Sequence, residues 1–286
     1  MIVRHTKPAI RTGRLLALGL ATAVTASVLT AFSSSLGSTD PASARPRWSA
    51  GQIITDSLFF DYTAMSRKGI QHFLDKRMRH CKSVSEASCL KDVRVDTRRV
   101  ARIPGRCDHT IPARRDQSAA SIIRMVAHAC EVSPRVLLVT LQKEQGLVTA
   151  NSVTRLTYRK AMGYGCPDSA RCNAKYYGFF NQVYWAARAY NAYGNFPGSF
   201  RFQAGRTLDI AYSPKENCAS KKNVRIKNRA TAALYNYTPY TPNKASLANP
   251  YGTGNRCSSY GNRNFWLFFN QWFGTTSRGH NFSGAG

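Results

Sequence analysis

A mainly helical α+β fold with a minor β element, cross-linked by disulfides, is what this 286-residue sequence predicts. Three observations lead there. Apolar residues recur at helical spacing in segment after segment. The segment from about Phe200 to Ile226 is short and polar and has room for strands. The eight cysteines (Cys81, Cys89, Cys107, Cys130, Cys166, Cys172, Cys218, Cys257) are an even set, the usage expected of structural disulfides in an oxidising compartment.

Residues 1–44 read as an export signal rather than as part of the fold. A basic start (Arg4, Lys7, Arg11, Arg14) precedes an apolar run from Leu15 to Phe32 and a small-residue end at Ala42-Ser43-Ala44. An uncleaved N-terminal anchor is the alternative. Either way the remainder works outside the cytoplasm, secreted or attached to the cell wall.

A first unit is expected over 53–115. Its segment MSRKGIQHFLDKRMRH places Met65, Ile70, Phe73 and Leu74 on one helical face, with Ser66 as cap, and an Arg-rich loop follows. Residues 118–274 form the second unit. AASIIRMVAHACEV is an amphipathic helix; Ser133-Pro134 then supplies cap and first-turn proline for PRVLLVTLQKEQGL, which Gly146 ends. YYGFFNQVYWAARAYNAYG, KNRATAALYNY and FWLFFNQWFG supply the later helices. Residues 275–286, closing in Gly279 to Gly286, read as a flexible tail.

Of 41 Lys and Arg against 14 Asp and Glu, residues 1–44 hold four and one, leaving 37 against 13 and a formal charge of +24. Such a charge draws the chain to polyanions, whether wall polymers, acidic lipid surfaces or nucleic acid. Zinc is disfavoured, because there is no CxxC and the six histidines lack paired ligand spacing. Chain order suggests the pairs Cys81–Cys89, Cys107–Cys130, Cys166–Cys172 and Cys218–Cys257, among 105 connectivities that eight cysteines permit.

In so acid-poor a chain Glu144 stands out. Leu137, Leu141, Glu144 and Val148 fall at i, i+4, i+7 and i+11, so the carboxyl group shares a stripe with core residues. Desolvation there raises a carboxyl pKa toward the range in which it donates a proton at neutral pH, as glycosidic bond cleavage requires. The bland alternative is a helix-end Glu that turns to solvent beside Lys143 or pairs with an arginine.

The order KEQGL, then YGFFNQ, then ATAALYNYTPY resembles the lysozyme-like superfamily of goose-type lysozymes and soluble lytic transglycosylases. More closely, about 53 to 274 looks like a group of secreted Gram-positive lysozyme-like proteins often labelled hemagglutinins, through IITDSLFF, IQHFL, LLVTLQKEQGL, GYGCPD, YYGFFNQV, ATAALYNYTPY and SYGNRNFW. The resemblance implies a lysozyme-like fold, Glu144 as catalytic acid/base, and a glycan cleft lined by Gly178, Asn181 and Gln182 and by Tyr235 and Asn236. Two departures stand against it. Gln145 follows the Glu where relatives carry Ser, and Phe180-Asn181 replaces Met-Gln ahead of Gln182.

Peptidoglycan sugars carry acetamido groups and hydroxyls, which amides such as Gln182 and Asn236 match, and sugar faces suit aromatic rings such as Tyr177, Tyr235 and Tyr240. After Glu144 the remaining acids are Asp168, Asp209 and Glu216; Asp168, between Cys166 and Cys172, is the candidate second carboxylate. Without one, Glu144 acts alone as acid and then base while the substrate's own group attacks.

These readings favour a secreted enzyme that cuts peptidoglycan glycan strands, a lytic transglycosylase or muramidase, with peptidoglycan and anionic wall polymers as partners. The alternative is a non-catalytic wall-binding or adhesive protein on the same fold. No cofactor, metal or specific nucleic acid is implied. A nuclease lacks its paired histidines or carboxylate cluster, and a cysteine peptidase lacks a spare cysteine.

Overall fold

Helix boundaries in the computed structural model, which describes residues 47–84, 86–167 and 170–277, follow cap chemistry at most of their starts. After the short α1 (Asp56–Phe59), Ser66 opens α2 (Arg67–Arg77) by accepting from the Gly69 amide at 3.1 Å. Strands β1 (Arg94–Thr97) and β2 (Arg114–Ser118) follow, and Ser118 ends the second strand while capping α3 (Ala119–Ala129) through the Ser121 amide. Pro134 occupies the first turn of α4 (Pro134–Gln145), whose interior Val136 to Leu141 is buried on every side. A helix apolar all round belongs in the centre of a core. Gly146 ends it at φ 64°, the left-handed conformation glycine adopts without a Cβ penalty.

The short α5 (Arg155–Arg159) leads to the long α6 (Phe179–Asn195), then to the antiparallel pair β3 (Thr207–Ala211) and β4 (Lys221–Arg225), in register from Thr207 opposite Arg225 to Ala211 opposite Lys221. Helices α7 (Arg229–Tyr237), α8 (Lys244–Ala248) and α9 (Gly261–Phe273) close the chain, and α4 packs on α9, α6 on α7, α2 on α3. The described residues are thus mixed, mostly helical, with two small antiparallel sheets. Four disulfides join Cys81 to Cys89, Cys107 to Cys130, Cys166 to Cys172 and Cys218 to Cys257, the pairs that chain order suggests. Among the described residues no helix is long and apolar enough to cross a membrane.

Three expectations change. Residues 53–115 do not stand apart: Ile53, Ile54, Phe59, Ile70 and Leu74 lie in one continuous core with α3, α4, α6 and α7. The join is hydrogen-bonded as well, since the Ile53 amide donates to Thr231 Oγ1 at 2.9 Å and Asn228 Nδ2 to the Ile54 carbonyl at 2.7 Å. Ser133 makes no side-chain cap; its Oγ is buried without a partner, and Pro134 alone sets the start of α4. Residues 275–277, expected in the tail, belong to the fold: Thr276 is buried and its carbonyl accepts from the Thr55 amide at 3.0 Å. The export segment 1–44 and residues 278–286 lie outside the described residues.

Candidate active site

The last turn of α4 delivers Lys143 and Glu144 to the floor of a cleft of about 1020 Å³. Its walls are Gly163, Cys166 and Pro167 on one side, Ser213 to Lys215 after β3, and Thr238 to Tyr240 with Ser258 to Gly261. Among the described lining residues Glu144 is the sole carboxylate. The expected second carboxylate, Asp168, lies outside the described residues, while Asp209 is on β3, away from the cleft lining, bonded by Asn223 Nδ2 at 2.9 Å.

Glu144 is held from two directions. The Lys143 ammonium, with its side chain only 1% exposed, donates to Glu144 Oε1 and, at 3.0 Å, to Thr238 Oγ1, and it lies 5.3 Å from the Tyr237 ring centroid. On the other side Gly163 sits at φ 68°, where a Cβ would come within 2.7 Å of Glu144 Oε2. Glycine is what lets that backbone pass against the carboxylate. The environment therefore differs from the apolar stripe expected: Leu137, Leu141 and Val148 are fully buried, but Glu144 is 25% exposed in its side chain and carries an ion pair. Burial of Tyr190 and Tyr237 behind the pair pushes both phenols well above their usual range, and the nearby Glu144 charge adds to the rise. The two rings stack at 4.6 Å, and Tyr237 Oη donates to the Met162 carbonyl at 2.6 Å.

Gln182 reaches this site only from behind. It is fully buried, its Oε1 accepts from the Met162 and Tyr164 amides at 3.0 and 3.1 Å, and its Nε2 donates to the Tyr164 and Tyr176 carbonyls at 2.9 and 2.8 Å. No valence is left for a sugar. Instead it brackets the loop that presses Gly163 on Glu144. Tyr235 is likewise a core residue, fully buried with its Oη donating to the Ala50 carbonyl at 2.9 Å. Asn236 spends both ends of its amide on the main chain of Phe202, at 3.0 and 2.8 Å. Tyr177 donates from Oη to the Cys172 carbonyl at 3.2 Å.

Gly178 and Asn181 line a second, smaller pocket of about 260 Å³ with Val95 to Arg98, whose lining shares no residue with the Glu144 cleft. Of the expected sugar contacts, Tyr240 is the one that lines the cleft. Sequence reasoning missed Gly163, Tyr237, Thr238, Lys215 and Tyr260, though GYGCPD and ATAALYNYTPY contain the first three. Lys143 was visible only as a neighbour, because adjacent helical residues do not ordinarily face each other; Thr238 is what draws its ammonium inward.

A comparison with protein families matches the model described as LasA, N-terminal domain, over residues 52–281. No curated protein and no solved structure matches the chain.

Proposed function

The chain belongs to the LasA N-terminal domain family, and from that premise we propose that it is a secreted, cell-wall-acting protein that cleaves peptidoglycan glycan strands with Glu144 as a single acid/base. Four disulfides and the family point to an extracellular protein. The observation that carries the finer reading is the lone described carboxylate, partly open to solvent, on the floor of a cleft large enough for sugar rings.

In this reading Glu144 delivers a proton to the glycosidic oxygen from Oε2, the oxygen that the Lys143 ammonium does not hold. The C1–O bond breaks, its electron pair leaving with that oxygen. The resulting carboxylate, steadied by the Lys143 ammonium, then takes the proton of the attacking hydroxyl as a new C1–O bond forms. Attack by the substrate's own hydroxyl, giving an anhydro sugar, needs no second carboxylate and is the step this reading takes. Tyr240, Tyr260 and Lys215 at the walls suit sugar faces and acidic substituents.

One observation favours a second reading: the buried ammonium already occupies Glu144 Oε1, which suits a cleft that binds wall glycan, as an adhesive protein would, without cutting it. Purified peptidoglycan incubated with the mature protein and with Glu144→Gln separates the two. Mass spectrometry is expected to find anhydro-muropeptides from the wild type alone. No release from either, with both sedimenting with the wall, would establish the binding reading.

A further inference from the structure

We propose that the β1–β2 ribbon is a docking surface for a linear polymer of phosphodiester-linked polyols, a class of wall polyanion, and that it holds the protein on the wall independently of the Glu144 cleft. The inference rests on the wall-acting reading but not on Glu144 as acid.

Five exposed arginines converge on this ribbon. Arg94, Arg98 and Arg99 lie on or just after β1, and Arg114 and Arg115 on β2. The antiparallel register sets Arg94 opposite Ser118 and Thr97 opposite Arg114, and the Val100–Ile111 bridge continues it, so residues distant in sequence lie on one ribbon, whose arginines are divided between its two faces because neighbours along a strand alternate. From Arg94 to Thr97 the strand rises about 10 Å, at ~3.3 Å per residue, and Arg98 and Arg99 follow it directly. Two aspartates interrupt the charge: Asp96, whose Oδ1 accepts from the Asp116 amide at 2.8 Å, and Asp116 itself. Among the described residues no ion pair engages any of the five guanidiniums, and Arg94 donates only to the Asp116 carbonyl, at 3.4 Å. They stand ready for an external anion, and the planar guanidinium fork matches phosphate oxygens two at a time.

The partner's chemistry follows from what the ribbon lacks. Surfaces for single-stranded nucleic acid interleave cations with exposed aromatic rings on which bases stack. The segments 94–99 and 113–117 contain no aromatic residue, and the ring beneath, Tyr184, is buried with Arg98 lying 5.8 Å from its centroid. A chain of phosphates without bases fits, whereas a single strand finds no ring on which its bases can stack.

The test measures binding of the full mature chain to poly(glycerol phosphate) across a salt series. It compares the wild type with Arg98→Gln/Arg99→Gln/Arg114→Gln/Arg115→Gln, and with a variant of equal charge loss on the other hairpin, Arg206→Gln/Lys221→Gln/Lys222→Gln/Arg225→Gln. The ribbon variant is expected to lose at least about tenfold in affinity at low salt, and the slope of log K against log salt to fall by about 3 for four contacts at ~0.7 each. The other variant should stay within about threefold. Unchanged circular dichroism certifies folding, and sugar release from polymer-stripped peptidoglycan, unaltered in the ribbon variant, keeps this question separate from Glu144. Equal losses in the two variants would show net charge at work and overturn the proposal. So would DNA binding as tight as the polymer and lost in the same ribbon variant, which would make the surface a nucleic-acid one.

Discussion

Gln182 carries two acceptor and two donor bonds to the main chain; three of the four end on the loop around Gly163, at Met162 and Tyr164, and the fourth ends on the Tyr176 carbonyl. Replacing it by Ala leaves those buried groups unpaired and a void beside them. We expect Gln182→Ala to lose about 3 kcal/mol or more in urea unfolding. Gly163→Ala tests the loop from the other side. At φ 68° the new methyl costs ~1–2 kcal/mol of backbone strain and meets Glu144 Oε2 at 2.7 Å. The expected result is a protein that still folds but releases muropeptides at least about tenfold more slowly, through misplacement of the carboxylate. His128 answers to pH. His128 is exposed, and partial desolvation by its neighbours first, then the charges of His109 and Arg124, lower its pKa, with Glu131 opposing and the Tyr62 ring packed edge-on at 5.5 Å. The unfolded chain then takes up the proton before the folded one does, so this contribution to stability is lost as pH falls below about 6.5. Unfolding midpoints should drop between about pH 7 and about pH 5, and by less in His128→Gln.

At the level of helices and hairpins, the apolar period read well and the polar hairpin did not. α2, α3, α4, α6, α7 and α9 lie where spacing put them, because each buries a face or, for α4, its whole interior. The β3–β4 pair falls inside the expected 200–226 stretch. β1 and β2 escaped, since RVDT and RRDQS show no clear apolar alternation and owe their pairing to cross-strand bonds and the flanking disulfides. The histidines looked scattered, yet the Cys107–Cys130 bond closes a loop that brings the His109 and His128 rings within 4.5 Å. That bond spans 23 positions, and both sulfurs are buried. Cys107→Ala/Cys130→Ala is expected to lower stability by about 3 kcal/mol in the same urea assay.

For the molecule as a whole, one core runs through what looked like two units. Residues 118–277 expressed alone would expose the surfaces now covered by Ile53, Ile54, Phe59, Ile70 and Leu74, all at most 0% exposed. Such a fragment should show no cooperative thermal transition, whereas a self-sufficient domain would melt sharply. What the chain by itself determined were local properties: helical periods, the cap at Ser66, the glycine stop at Gly146, disulfide usage, the excess of cations and the singular position of Glu144. Partnerships across the chain needed the folded molecule. Tyr235 and Gln182 looked like cleft residues because they neighbour Asn236 and Asn181 in motifs, but a motif does not say whether its polar atoms face substrate or main chain. That is settled by which backbone groups, up to 185 positions away for Tyr235, are buried beside them and must be paired.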